Sequence, residues 1–122
     1  LGDITEDMSA SIGKAIRAGV RKDAMVIKSG IGFGKTVADN YRIIRRLADL
    51  RTLGMPILVG PSRKSFIGNV TGDEPRQRLE GTAATVSAAI MNGCHIVRVH
   101  DVAAMKKVAA VTDAMTHPRK VI

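Results

Sequence analysis

The chain has 122 residues, 45% of them hydrophobic, and a formal net charge of +8, which is enough for one domain with a modest core. Its only aromatic residues are Phe33, Tyr41 and Phe66. That is too few for base-stacking platforms, and no compact Lys/Arg run is present, so the charge points to a small anionic partner rather than nucleic acid, with a plain solvated basic surface as the competing reading. Cys94 is the only cysteine and has no internal disulfide partner, no apolar run approaches a membrane span, and no signal peptide is visible, so a soluble, cytoplasmic protein is expected.

The predicted elements alternate. Met8, Ile12, Ile16 and Val20 recur every four residues and predict a helix near 4–19. Ala24 to Ile27 is a short apolar run that predicts a strand near 24–28. Thr36 with Asp39 three residues on resembles a capping box, and Val37, Tyr41, Ile44 and Leu47 follow at helical spacing. Gly54 and Pro56 end that helix, predicted near 36–53. Pro56 to Val59 predicts a second strand near 56–60. A third helix near 75–92 starts from Asp73 with Pro75 in its first turn, shows a face of Leu79, Ala83, Val86 and Ile90, and stops at Gly93. His95 to Val99 predicts a third strand near 95–99. Val102, Met105 and Val108 predict a fourth helix near 101–115, and the tail beyond Met115, with His117, reads as frayed coil. Alternating strands and helices imply right-handed crossovers and a parallel sheet. Three such strands leave two open edges, and a closed (β/α)8 barrel takes about 250 residues. The expectation is therefore an α/β chain of about three parallel strands with four helices, residues 1–122 forming part of a larger domain.

The chemistry-bearing residues follow the strand ends, where parallel α/β folds bind ligands. Lys28, Lys35, Arg63, Lys64, Arg98 and His100 gather there. The loop Gly30-Ile31-Gly32-Phe33-Gly34-Lys35 looks like a phosphate cradle, but its spacing fails both the P-loop and the dinucleotide fingerprint. Taken alone, it is equally a tight strand-to-helix turn. Arg98 and His100 are two apart, which on a strand puts both on one face and lets them grip one anion. The plainer alternative pairs Arg98 with a carboxylate and has His100 cap the next helix. Ser62-Arg63-Lys64 alone reads as a solvated loop. Cys94 reads as a buried structural thiol, no metal-ligand spacing appears, and capping explains Asp73 and Glu74.

Together these loops carry a resemblance. The Gly30 to Lys35 run, Asn40, Ser62-Arg63-Lys64-Ser65-Phe66-Ile67-Gly68, Arg78 with Gly81-Thr82-Ala83, and Arg98-Val99-His100-Asp101-Val102 resemble, in order and spacing, the dihydropteroate synthase family. The resemblance implies the C-terminal part of a TIM (β/α)8 barrel. It implies condensation of 6-hydroxymethyl-7,8-dihydropterin pyrophosphate with p-aminobenzoate, releasing pyrophosphate accompanied by magnesium (Mg2+). By the same resemblance, Arg98 and His100 hold pyrophosphate, and Lys64 contacts the pterin beside the p-aminobenzoate site. Ser62, Arg63 and Phe33, with the adjacent Gly34, belong to the substrate pocket. The family's late helices form a dimer interface, so a homodimer is expected, aided by the alanines of the third helix.

One departure bears on activity. The family reads Asp-Pro before Gly-Ile-Gly, where this chain has Lys28-Ser29. The aspartate accepts hydrogen bonds from the donor edge of the pterin, whereas a lysine only donates. The alternative is thus a non-catalytic pterin- or anion-binding domain.

Overall fold

A computed structural model describes residues 2–32 and 36–118. Helix α1 (Gly2–Arg17) leads into β1 (Ile27–Lys28), followed by α2 (Val37–Arg45) and β2 (Ile57–Val59). Then come α3 (Ser65–Thr71), α4 (Leu79–Met91), β3 (Ile96–Val97) and α5 (Val102–Thr116). The strands form one parallel sheet in the order β1-β2-β3, with Ile27 opposite Ile57 and Leu58 opposite both Lys28 and Ile96.

The alternating plan is as expected, with corrections to individual elements. The described residues hold five α-helices rather than four. The segment after Ser62-Arg63-Lys64, which none of the four expected helices covers, is α3, because Phe66, Ile67 and Val70 recur at i, i+1 and i+4 and the first two are buried. Gly72 closes it in the left-handed region at φ 79°. The second helix divides: α2 gives way to a tighter 3-10 stretch, Leu47–Leu53, which drives Leu47 and Leu50 into the core before Gly54 ends it at φ 76°. β2 and β3 fall inside their apolar runs, but the strand expected near 24–28 begins only at Ile27 because Lys22–Ala24 forms a 3-10 turn, and the helix expected near 75–92 starts as α4 only at Leu79, after a separate 3-10 turn at Pro75–Gln77. The Thr36 cap is present, its hydroxyl accepting from the Asp39 N–H at 3.1 Å.

One face of the sheet is packed and the other bare. Ile27, Ile57 and Val59 point toward the helices and join Ile43, Ile44, Leu47, Leu50, Phe66 and Ile67 in the core. The opposite face carries Val26 at 50% exposure, Lys28, Ile96 at 41%, Arg98 and His100. Parallel sheets normally bury both faces. A covered outer face and a bare inner face with open edges are the geometry of a barrel segment.

Candidate functional site

Strand periodicity supplies the site's first two residues. Beyond β3, Arg98 and His100 lie on the bare face while Val97 and Val99 are half-buried on the other. Between them and β1 lies Gly60, which has no side chain to fill the gap; a Cβ there would approach Arg98 Cβ at 3.8 Å. The opening is a cavity of about 250 Å³ lined by Lys28, Gly60, Ser62, Lys64, Arg98, Val99 and His100. Of the expected site residues it brings together Ser62, Lys64, Arg98 and His100. No carboxylate among the described residues lines it, and Lys28, Lys64 and Arg98 make its wall cationic.

Ser62 holds His100 in place. Its hydroxyl accepts from the His100 backbone N–H at 3.1 Å and sits 2.7 Å from Nδ1 of the same residue. Ser62 is 6% exposed, so the imidazole is anchored by a buried group, and its other nitrogen is left for the cavity. His100 therefore does not cap α5.

Lys64 links two loops. Its stem crosses Gly32, where a Cβ would meet Lys64 Cδ at 2.6 Å, and its ammonium donates to the Ile31 carbonyl. Gly32 sits at φ 88°, so both space and backbone call for glycine there. Asn40, 3% exposed, clamps the same loop by accepting from the Gly32 N–H at 2.7 Å and donating to the Thr36 carbonyl at 2.9 Å. Burial, and then the charges of Lys28 and Arg98, push the Lys64 ammonium below the ordinary lysine range.

Arg63 is placed differently from Lys64. It is the only non-glycine residue at positive φ among the described residues, at 59°, a sparsely used region. Three partners hold it there. Its N–H donates to Thr82 Oγ1 at 3.1 Å, its carbonyl accepts from Arg78 Nη1 at 2.8 Å, and its guanidinium forks onto Asp101 at 3.0 and 3.3 Å. Asp101 thus pairs with Arg63 and not with Arg98. Arg63 does not line the cavity, and strain of this kind is commonly kept where a neighbouring side chain must be aimed. Asn40, Arg78 and Thr82, expected only as parts of the family pattern, are revealed as the braces of these loops. Phe33 and Gly34 lie outside the described residues.

Among the described residues there is no magnesium cage: the cavity wall is cationic, and no group of three His, Cys, Asp or Glu able to hold a metal is present. Burial pushes the Cys94 thiol up to about 11, with Asp113 adding to the shift, which suits a structural thiol. No helix among the described residues is long and apolar enough to cross a membrane.

The arrangement has known counterparts. Residues 1–100 match the family model described as pterin binding enzyme. The chain is 44% identical over 116 residues to the dihydropteroate synthase of Synechocystis, and 44% identical over 115 residues to that of Bacillus subtilis; each match covers 94% of this chain and 40% of the relative. Among solved structures, the Yersinia pestis dihydropteroate synthase superposes with a TM-score of 0.92 at 35% identity, over 94% of this chain and 54% of that one. The Clostridium difficile synthase, solved in the presence of pteroic acid, gives 0.91 at 46% identity, over 93% and 43%. The chain therefore spans about 40% of the length of the curated relatives it matches.

Proposed function

The chain belongs to the pterin-binding enzyme family, and on that premise we propose that residues 1–122 are the C-terminal part of a dihydropteroate synthase barrel and carry its pyrophosphate-binding edge. The reaction would join the p-aminobenzoate nitrogen to the pterin methylene carbon, break the carbon–oxygen bond to pyrophosphate, and release a proton from the nitrogen. Negative charge then builds on the leaving group. Fixed cations aimed at it lower the barrier. Arg98 and His100 would hold the pyrophosphate, with Lys64 bridging toward the pterin and Ser62 keeping the imidazole aimed. Arg63 would contribute to the p-aminobenzoate side, its backbone strain fixing the Lys64 loop. Phe33 and Gly34 would complete the substrate pocket.

The observation that carries this reading is the single cavity shared by Ser62, Lys64, Arg98 and His100 at the strand ends. Its test is calorimetric titration with inorganic pyrophosphate. Arg98→Ala is expected to weaken binding by about 1.5–3 kcal/mol, the range of a charge-assisted hydrogen bond. Equal affinity of the two proteins would remove Arg98 from this role. Magnesium would travel with the pyrophosphate oxygens rather than on protein ligands of this chain. Titrations with and without it are expected to differ for wild type and variant alike.

Self-association belongs to the same reading. Helices α4 and α5 pack on each other and expose Met91, Val102, Val111 and Met115. Ala89 is not available to a partner, because it is buried in the core. A two-fold dimer through these helices is expected, and light scattering that shows only monomer at high micromolar concentration would count against it. A cytoplasmic location accompanies the function and is checked by cell fractionation. A second reading, an anion-binding domain without catalysis, is favoured by one observation: Lys28 lines the cavity.

A further inference from the structure

We propose that Lys28 is the specificity-determining residue of this cavity. It makes the β1 end a second anion subsite, so the fitting ligand presents acidic oxygens to β1 as well as β3. The ligand class is a pyrophosphate, or a phosphate ester with a second acidic group, rather than a neutral heterocycle that turns a donor edge to β1. The proposal rests on the reading that Arg98 and His100 hold an anion.

The sheet register gives the geometry. Lys28 stands opposite Leu58, which stands opposite Ile96, so Lys28 shares the bare face with Ile96 and with Arg98 two residues on. Two strand spacings separate β1 from β3, roughly 10 Å. Lysine and arginine side chains reaching in from both edges converge over that distance, and Gly60 on the intervening strand leaves the space open. Lys64 lines the same cavity, and burial and then the charges of Lys28 and Arg98 disfavour its protonation. Among the described residues, three cations and an imidazole thus face one small cavity, and no carboxylate lines it. The Lys28 and Arg98 charges both act on Lys64, and an anion with two charged ends is held from both edges of the cavity where one with a single end is held from one. A neutral heterocycle presenting N–H groups to Lys28 finds no acceptor there, because an ammonium only donates.

The experiment is titration calorimetry of the whole chain with inorganic pyrophosphate and, separately, orthophosphate. The variants are Lys28→Gln, Lys28→Asp and Arg98→Ala, each checked by thermal melting. Lys28→Gln removes the charge but keeps a polar side chain, one bond shorter, on an exposed face, so folding is expected to be preserved. It is expected to weaken pyrophosphate about tenfold and orthophosphate much less, since only the longer anion reaches both ends. Lys28→Asp is expected to weaken pyrophosphate about a hundredfold or more. Equal pyrophosphate affinity in wild type and Lys28→Gln overturns the proposal. If Arg98→Ala still weakens binding in that case, the anion site stands and only the role of Lys28 falls. If neither variant changes affinity, or the wild type binds no pyrophosphate, the underlying reading falls with it.

Discussion

Given pterin pyrophosphate and p-aminobenzoate, the chain by itself is expected to release no pyrophosphate above background. Two features act together. The bare face of the sheet leaves Val26 and Ile96 uncovered; under the proposed function it would be one wall of the substrate pocket, and a substrate held from one side is not oriented for attack. Orientation accounts for about 7–11 kcal/mol of barrier reduction in well-aligned reactions. Lys28 adds the second obstacle by placing a charged donor on that wall. The two are separable. Supplying the N-terminal half of a matching synthase barrel in trans restores the missing wall, and turnover of that mixture is expected to stay low. Lys28→Asp in the same mixture is then expected to raise turnover by about two orders of magnitude, the usual scale for restoring one preorganised polar contact in an active site. The measurement is pyrophosphate release that depends on p-aminobenzoate. Turnover by the unmodified chain alone would contradict both parts. A reconstituted mixture that works equally well with and without Lys28→Asp would leave the missing wall as the whole explanation. The Lys28→Asp change thus pulls in opposite directions in the two assays, gaining pterin chemistry and losing free pyrophosphate affinity.

The second large effect is structural. Phe66→Ala is expected to destabilise the fold by about 3–5 kcal/mol, as for large aromatic side chains removed from a core. That is a large share of the ~5–15 kcal/mol that holds a typical domain together. Phe66 is 1% exposed, and its ring meets Tyr41 edge-on at 5.2 Å and 88°. The Tyr41 hydroxyl donates to the Phe66 carbonyl at 2.8 Å, so α2 and α3 are joined by packing and by a hydrogen bond at one point. Urea unfolding followed by circular dichroism measures the effect. A loss below about 1 kcal/mol would mean that α3 is not integral to the core. Because α3 begins directly after Lys64, Phe66→Ala is also expected to loosen the cavity wall. Tyr41→Phe, which removes only the hydrogen bond, is expected to cost about 0.5–1.5 kcal/mol.

Much of the site was legible because strand periodicity is local. A spacing of two places Arg98 and His100 together whatever else the chain does, and the apolar runs ending near Lys28, Val59 and Val99 mark one edge of the sheet without knowledge of their order. Other features had local signals that were outweighed. Phe66, Ile67 and Val70 have helical spacing, but Gly68 sits among them and the run is too short to declare a helix by itself. Gly68 is required by what lies on it: the Arg78 guanidinium occupies the place of a Cβ there. Gly81 is crowded by Ile67 in the same way, so α3 and α4 approach closely only through these two glycines.

By itself, the sequence determined the alternation of strands and helices, the parallel sense of the sheet, the loops that carry chemistry, and the family. Each depends on spacing within a few residues or on a pattern of short blocks. The tertiary structure alone decided the partners of those blocks. Ser62 meets His100 and Arg63 meets Asp101 across 38 residues each, and Lys28 enters the cavity of Lys64 and Arg98 only because β1, β2 and β3 lie side by side in register. Those pairings follow from crossover geometry and from which glycines let backbones come close. A hydrophobic period has no memory of either, since it fixes the face a residue occupies and not the residue it will meet there.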